Sequence, residues 1–315
     1  MTYKMTDYLI DLISKNRNDQ RLVKQFRIDE DLELNDEISD LLETSNDTAI
    51  SPCSGIYHRY PSKLLLFPTS ECLGHCRFCF RKNIKGENDH LSEDNFLQAL
   101  RYIESSNVNE VIFSGGDPFA VGEETLISML QKVRSISSVS VIRIHTRVLT
   151  YQPKLITDDF INELVKMQPL YMLFHINSHL ELSDIAIERV KSLVNKGIMC
   201  FSQSALLKDV NDSEENLKLL FENLIINRIK PYYLFHPDRV MGSGHFYVSL
   251  KKGIHLYNYL YNRISGLAMP IYLFNIPGGY GHCIIDLGNV RELSNNKYEI
   301  TNWQGEKVVY EDTES

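Results

Sequence analysis

Long apolar runs are missing from this chain of 315 residues. None approaches the ~20 residues that a bilayer-spanning helix needs, so no membrane association is expected. The opening "MTYKMTDYLIDLISKNRNDQ" also lacks the basic-then-apolar layout of a secretory signal; acids are mixed into a short amphipathic pattern. The expected location is therefore the cytoplasm. A basic surplus is lacking too. Thirty-three Lys and Arg stand against 41 Asp and Glu, a net charge of −8. That argues against a broad nucleic-acid surface while leaving room for a small basic pocket. Internal repeats and low-complexity tracts are absent. What remains is a globular composition, 43 % hydrophobic and 23 % charged.

Six cysteines are present, and three fall together at Cys72, Cys76 and Cys79. A large chain without a secretory signal has little use for a disulfide framework, so the cluster reads as metal-binding. Cys53, Cys200 and Cys283 are scattered and read as buried thiols.

Residues 1–54 are polar and acidic with helical spacing in places, and "DEDLELNDEISDLLE" reads as a solvated acidic helix or linker. From residue 63 onward, short apolar runs alternate with amphipathic stretches. The runs at 63–69, 110–116, 140–147, 170–177, 199–204 and 229–236 read as six buried strands. Helical stretches lie between them. Ser92 is the expected N-cap of the first, and Gly197 closes the fourth. Continuous apolar strands alternating with helices argue for a parallel sheet covered by helices. Six units are too few for an eight-fold barrel, so the expected fold is α/β, an incomplete (β/α)6 TIM-like barrel over 55–240. A C-terminal extension, 241–315, is expected to close the site. Polar residues gather at the strand ends: Ser114–Asp117, His145–Arg147, His175–Asn177, Gln203–Ser204 and His236–Asp238. Ligands of parallel α/β folds bind at that edge.

The spacing CxxxCxxC supplies three thiolates where an iron–sulfur cluster usually takes four. Three ligands leave one iron open, as a reactive site needs. Gly74 lets the loop wrap, and Phe78 and Phe80 are placed to shield the cluster. The alternative is a zinc site completed by His75 or a remote residue.

The stretch "HRYPSKLLLFPTSECLGHCRFCFRK" resembles the cluster segment of radical S-adenosylmethionine (SAM) enzymes, in particular lysine 2,3-aminomutases. So do "IFSGGDP", "RIHTR", "HINSH", "QSALLKDVND", "PYYLFHPDRVMGSGHF" and "NIPGGYGH", in order from about residue 55 to 285. The resemblance implies a [4Fe-4S] cluster whose open iron chelates SAM, and a 5′-deoxyadenosyl radical that takes a hydrogen atom from a small-molecule substrate. An electron donor such as flavodoxin or ferredoxin is implied, and a homo-oligomer is allowed. It also implies SAM contacts for Ser114, Gly115, Gly116, Asp117, His175 and Gln203. Arg81 is matched to the substrate carboxylate, and Asp238 to its distant ammonium. Arg59, Tyr60 and Arg147 match residues lining the pocket of pyridoxal phosphate (PLP), and Lys63 stands where an arginine is common.

The pattern breaks at two places. Aminomutases of this family hold PLP as an imine on a lysine, and the matching position here is His282, which has no primary amine. Lys251 and Lys252 lie in an expected amphipathic helix and are poor substitutes. The family's second ammonium-binding acid aligns with Asn275, which weakens recognition of a full positive charge. Ser213 replaces a zinc cysteine of some relatives, so no such zinc is expected. His282 becomes a candidate proton carrier, with Tyr280 beside it, or a plain filler of the lysine's space. The leading expectation is a radical SAM enzyme acting on a carboxylate-bearing amino acid or derivative without covalent PLP. The alternatives are a PLP-dependent aminomutase with an unusual lysine and a SAM-binding paralog without chemistry.

Overall fold

The computed structural model describes residues 4–34, 51–81, 90–286, 288–294 and 296–312. Its main sheet has nine strands hydrogen-bonded in chain order. They are β1 (Ile56–Tyr60), β2 (Lys63–Thr69), β3 (Glu110–Gly115), β4 (Val141–Thr146), β5 (Leu170–His175), β6 (Met199–Ala205), β7 (Ile229–Phe235), β8 (Ile271–Asn275) and β9 (His282–Ile284). From β2 to β8 every neighbour is parallel, while β1 and β9 add antiparallel edges. This is a partial TIM-like barrel. All six expected strands are present, and β8 makes a seventh parallel member. β8 is only five residues long, and no helix separates it from β9, so the strand–helix alternation gave no hint of it.

Period-two burial orients the strands. Val111, Phe113, Ile142, Ile144, Met172 and Phe174 are completely buried and join one core with helical residues such as Ile103, Leu130 and Leu193. The alternate residues, Lys63, Ser114, Arg143, His145, His175 and Gln203, therefore face the barrel interior. The expected helices form. Ser92 caps Glu93–Ser106 by accepting from the Asn95 N–H at 3.3 Å. Gly197 follows the helix Asp184–Asn195 with φ +84°, a left-handed conformation that glycine adopts without penalty. Ser213 caps Glu214–Ile226. Strands β10 (Val290–Ser294), β11 (Lys297–Thr301) and β12 (Lys307–Glu311) form a separate antiparallel sheet.

The two edges of the open barrel meet through side chains. The Tyr60 hydroxyl on β1 lies 3.2 Å from His282 Nδ1 on β9, and the His282 N–H donates to the same oxygen at 3.3 Å. Trp303 sits edge-on to Tyr60 at 5.4 Å.

The acidic segment departs from expectation. Of "DEDLELNDEISDLLE", residues 35–43 lie outside the described residues. The part before them is not solvated throughout: Glu33 is 4 % exposed and bound to buried Arg77. The helix Asp7–Lys15 and the residues after it bury Leu9, Leu12, Leu22 and Phe26 against Tyr151. Among the described residues, no helix is long and apolar enough to cross a membrane.

Candidate active site

The three-cysteine loop leaves the C-terminal end of β2 and is held from both sides. On one side, the Gly116 N–H donates to Thr69 O at 2.8 Å, and the Asp117 N–H to Glu71 O at 2.7 Å. The approach is so close that a Cβ on Gly116 would stand 1.8 Å from Glu71 O; only glycine fits. On the other side, the N-terminal segment accepts from the loop: His75 N–H to Lys4 O at 2.9 Å and Arg77 N–H to Gln25 O at 2.8 Å. The Arg77 guanidinium grips Glu33, with Nε to Oε1 at 2.7 Å and a second contact between Nη2 and Oε2. Gly74 lies against the Tyr151 ring, where a Cβ would meet Cε1 at 2.5 Å.

Cys72, Cys76 and Cys79 are half-buried. Among the described residues, no three His, Cys, Asp or Glu side chains stand as ligands of a single ion. A four-iron cluster is instead held by separate thiolates, and the surroundings of these three sulfurs suit one. Cys76 Sγ receives Arg147 Nη1 at 2.9 Å and lies 2.8 Å from the Tyr151 hydroxyl. Arg81 lies within electrostatic reach of Cys79 and Cys72. Hydrogen bonds and charge at a sulfur are what a cluster ligand carries. Burial pushes the Cys200 thiol up to about 12 and the Cys283 thiol up to about 11. Both are buried and Cys53 is half-buried.

Behind Cys76 stands a network the sequence did not reveal. Glu181 is completely buried. Its Oε1 accepts from the N–H groups of Asn177 and Ser178, both at 2.9 Å, and from Gln25 Nε2 at 3.2 Å. Its Oε2 accepts from Thr150 Oγ1 at 2.6 Å and Arg147 Nη2 at 3.0 Å. Burial alone would raise the Glu181 pKa, but Arg147 and these donors hold it below the usual carboxylate range. Arg147 itself is 5 % exposed and also donates to Gln25 Oε1 at 2.5 Å. Arg147, matched above to the PLP pocket, has its guanidinium enclosed between Cys76, Gln25 and Glu181. Gln25 carries no motif, because a network made by distant segments leaves no local pattern; Glu181 closes an S-x-x-E capping box with Ser178, a local signal for the turn but not for Arg147.

Asp117 is likewise enclosed. Its carboxylate accepts from Thr146 Oγ1 at 2.8 Å, the Arg147 N–H at 2.8 Å and the Phe119 N–H at 3.0 Å. It ties β3 to β4. Ser114, Gly115 and Gly116 end β3 beside the loop, with Gly115 at φ +108°. His175 and Gln203 are partners in the β5–β6 ladder and face the interior. His175 Nε2 lies 3.1 Å from Asn177 Oδ1, and its ring is 5.5 Å from Phe78. Burial and then Arg147 push the His175 pKa down to about 3, so the ring is neutral. His145 faces the same space with Nε2 buried and without a hydrogen-bond partner among the described residues. It was legible only as one of the strand-end polar residues.

Arg81 stacks on Phe67 at 4.1 Å and donates to Gly115 O at 3.2 Å. This places it between the cluster loop and the end of β3. Asp238 and Asn275 come together: Asn275 Nδ2 donates to Asp238 Oδ1 at 3.2 Å. His282 is packed by Tyr60 and Phe235. Burial, then Arg59 and Lys63, push its pKa down to about 4. Arg59 Nη2 donates to the Tyr57 hydroxyl at 2.7 Å. Lys63 Nζ sits 4.9 Å from the centre of the Tyr60 ring. Tyr280 is 39 % exposed and stands outside this group. Lys251 is exposed and Lys252 pairs with Asp212 at 2.5 Å; neither shares the His282 environment.

Residues 66–220 match the Radical SAM superfamily. The L-lysine 2,3-aminomutase of Fusobacterium nucleatum is 32 % identical over 313 residues, covering 99 % of this chain and 73 % of that protein. A putative L-lysine 2,3-aminomutase of Aquifex aeolicus is 35 % identical over 82 % of this chain and 71 % of its own length. The glutamate 2,3-aminomutase of Clostridioides difficile is 31 % identical over 92 % and 69 %. Among solved structures, a radical SAM methyltransferase from Sphaerobacter thermophilus superposes with a TM-score of 0.51 at 16 % identity, covering 71 % of this chain and 69 % of that one. Native anSMEcpe with bound AdoMet and Kp18Cys peptide gives a TM-score of 0.50 at 11 % identity, covering 64 % of this chain and 60 % of that one. The last two speak for the fold alone. Membership of the superfamily implies SAM and a [4Fe-4S] cluster, and the cysteine loop has the donors for the latter. With that loop at the mouth of a partial barrel and aminomutase relatives matching nearly its whole length, this chain is a radical SAM enzyme of the lysine 2,3-aminomutase family.

Proposed function

We propose that this enzyme abstracts hydrogen from a small carboxylate-bearing substrate, an amino acid or a derivative, without covalently held PLP. When bound at Cys72, Cys76 and Cys79, the cluster and SAM supply a 5′-deoxyadenosyl radical. The chain's own residues then position and shield. Gly115 and Gly116 allow SAM to approach the backbone at the end of β3. Arg81 offers its guanidinium to the substrate carboxylate. Asp238 and Asn275 face the far end of the substrate with one negative charge instead of two, an arrangement suited to a less cationic group than the lysine ammonium. Phe78 and Phe235 keep water from the interior. The electron comes from a donor such as flavodoxin or ferredoxin.

One observation carries the reading. The position matched to the PLP lysine holds His282, packed on Tyr60 and Phe235, and Lys252 is committed to Asp212. The test is anaerobic reconstitution with dithionite, SAM and a panel of amino acids. Substrate-dependent 5′-deoxyadenosine without added PLP is expected. A strict requirement for PLP would overturn the proposal.

A second reading, covalent PLP on another lysine, is favoured by Lys63. Burial, then Arg143, push its ammonium below the ordinary value, and it lies beside Tyr60 within electrostatic reach of His282. Borohydride trapping followed by peptide mapping would place a phosphopyridoxyl label on Lys63 under that reading and nowhere under the first.

A further inference from the structure

Arg147 immediately follows β4 and has no role in holding SAM or substrate in the reading above. Its two terminal nitrogens are divided. Nη2 serves Glu181 and Gln25, while Nη1 is aimed at Cys76 Sγ from 2.9 Å. A guanidinium pairing with a carboxylate favours the two-armed grip, yet one arm here goes to sulfur. The Tyr151 hydroxyl, one turn further along the helix Val148–Tyr151, reaches the same sulfur at 2.8 Å. The geometry is fixed from behind. Glu181 is saturated by five donors, and the Arg147 guanidinium is sandwiched by Phe26 at 4.6 Å and Phe78 at 5.1 Å. The donors therefore do not depend on a mobile surface chain.

Hydrogen bonds to cluster sulfurs, local charge and burial set the potential of an iron–sulfur centre. A cation and a hydroxyl directed at one ligating sulfur favour the more negative, reduced state. We propose that Arg147 and Tyr151 raise the reduction potential of the cluster through Cys76, with Glu181 and Gln25 as positioning residues for Arg147. This rests on the reading that Cys72, Cys76 and Cys79 hold the cluster.

The test uses the full chain, reconstituted anaerobically, with a redox titration followed by electron paramagnetic resonance. Tyr151→Phe keeps the ring that packs on Gly74 and removes only the hydroxyl. Wild-type iron and sulfide content is expected, with a more negative midpoint. A tenfold weaker reduction equilibrium would be about 59 mV for one electron. Arg147→Lys keeps the charge with a single ammonium and is expected to shift the midpoint in the same direction by less. Unmoved midpoints at full iron content overturn the proposal, as does loss of iron in both variants with no shift in what remains. Wild-type protein without iron and labile sulfide would instead bring down the ligation reading itself. The two failures are therefore distinguishable.

Discussion

The two halves of the site are built differently. Around the cysteine loop nearly every polar group is enclosed and multiply bonded: Glu181 has five donors, Asp117 is tied to β4, and Arg77 is locked to Glu33. Across the barrel, around His282 and Asn275, residues depart from the aminomutase pattern: an imidazole packed on Tyr60 and Phe235 and an amide bonded to Asp238. A radical generator must hold a reactive metal in one geometry, so its support is rigid and resists change. The substrate side must only match its ligand, so substitutions there change specificity without dismantling the fold.

The largest test of this contrast is Cys76→Ala. It is expected to abolish the cluster and all 5′-deoxyadenosine formation, read by iron content and chromatography; retained reductive SAM cleavage would contradict the assignment. Next is Arg77→Met, which strands the Glu33 carboxylate in the interior. Breaking one side of a buried pair costs about 3–5 kcal/mol, measurable by urea denaturation, and Glu33→Leu in the same chain should recover most of it. An unchanged midpoint for the single variant would show that the N-terminal segment does not brace the loop. Gly116→Ala is expected to cost about 1–3 kcal/mol or more, because its Cβ would press on Glu71 O. Its cluster loading should drop with it.

The smallest effect lies on the other half. His282 has a folded-state pKa depressed to about 4 against an ordinary 6.5. Between these values the unfolded chain binds more protons. The stability His282 contributes is thus fully present above about 6.5 and is lost as pH falls towards 4. Arg59 and Lys63 deepen the effect, while Tyr60 and Phe235 enclose the ring. His282→Gln should flatten the stability profile over that window while leaving iron content unchanged; an identical slope would mean the ring is solvated.

Much of the site was legible from local patterns. CxxxCxxC is a short-range motif, the strand-end polar residues mark one edge of a parallel sheet, and Ser92 and Gly197 are caps whose chemistry is local. Arg81 and Asp238 were singled out through resemblance alone. Gln25, Glu181 and Glu33 were not found, since each owes its role to a partner 34 or more residues away. β8 was missed because five residues without a following helix carry too little periodicity.

The sequence alone determined the alternating strands and helices, the three thiolates on one loop and the absence of an amine at position 282. Those follow from side-chain period and chemistry, which are properties of neighbours along the chain. Only the tertiary structure decided that the acidic N-terminal segment braces the cysteine loop, that Arg147 turns to Cys76, and that Tyr60 and His282 join the barrel's edges. Such contacts depend on which buried donors and acceptors meet once water is excluded, and no stretch of sequence specifies that in isolation.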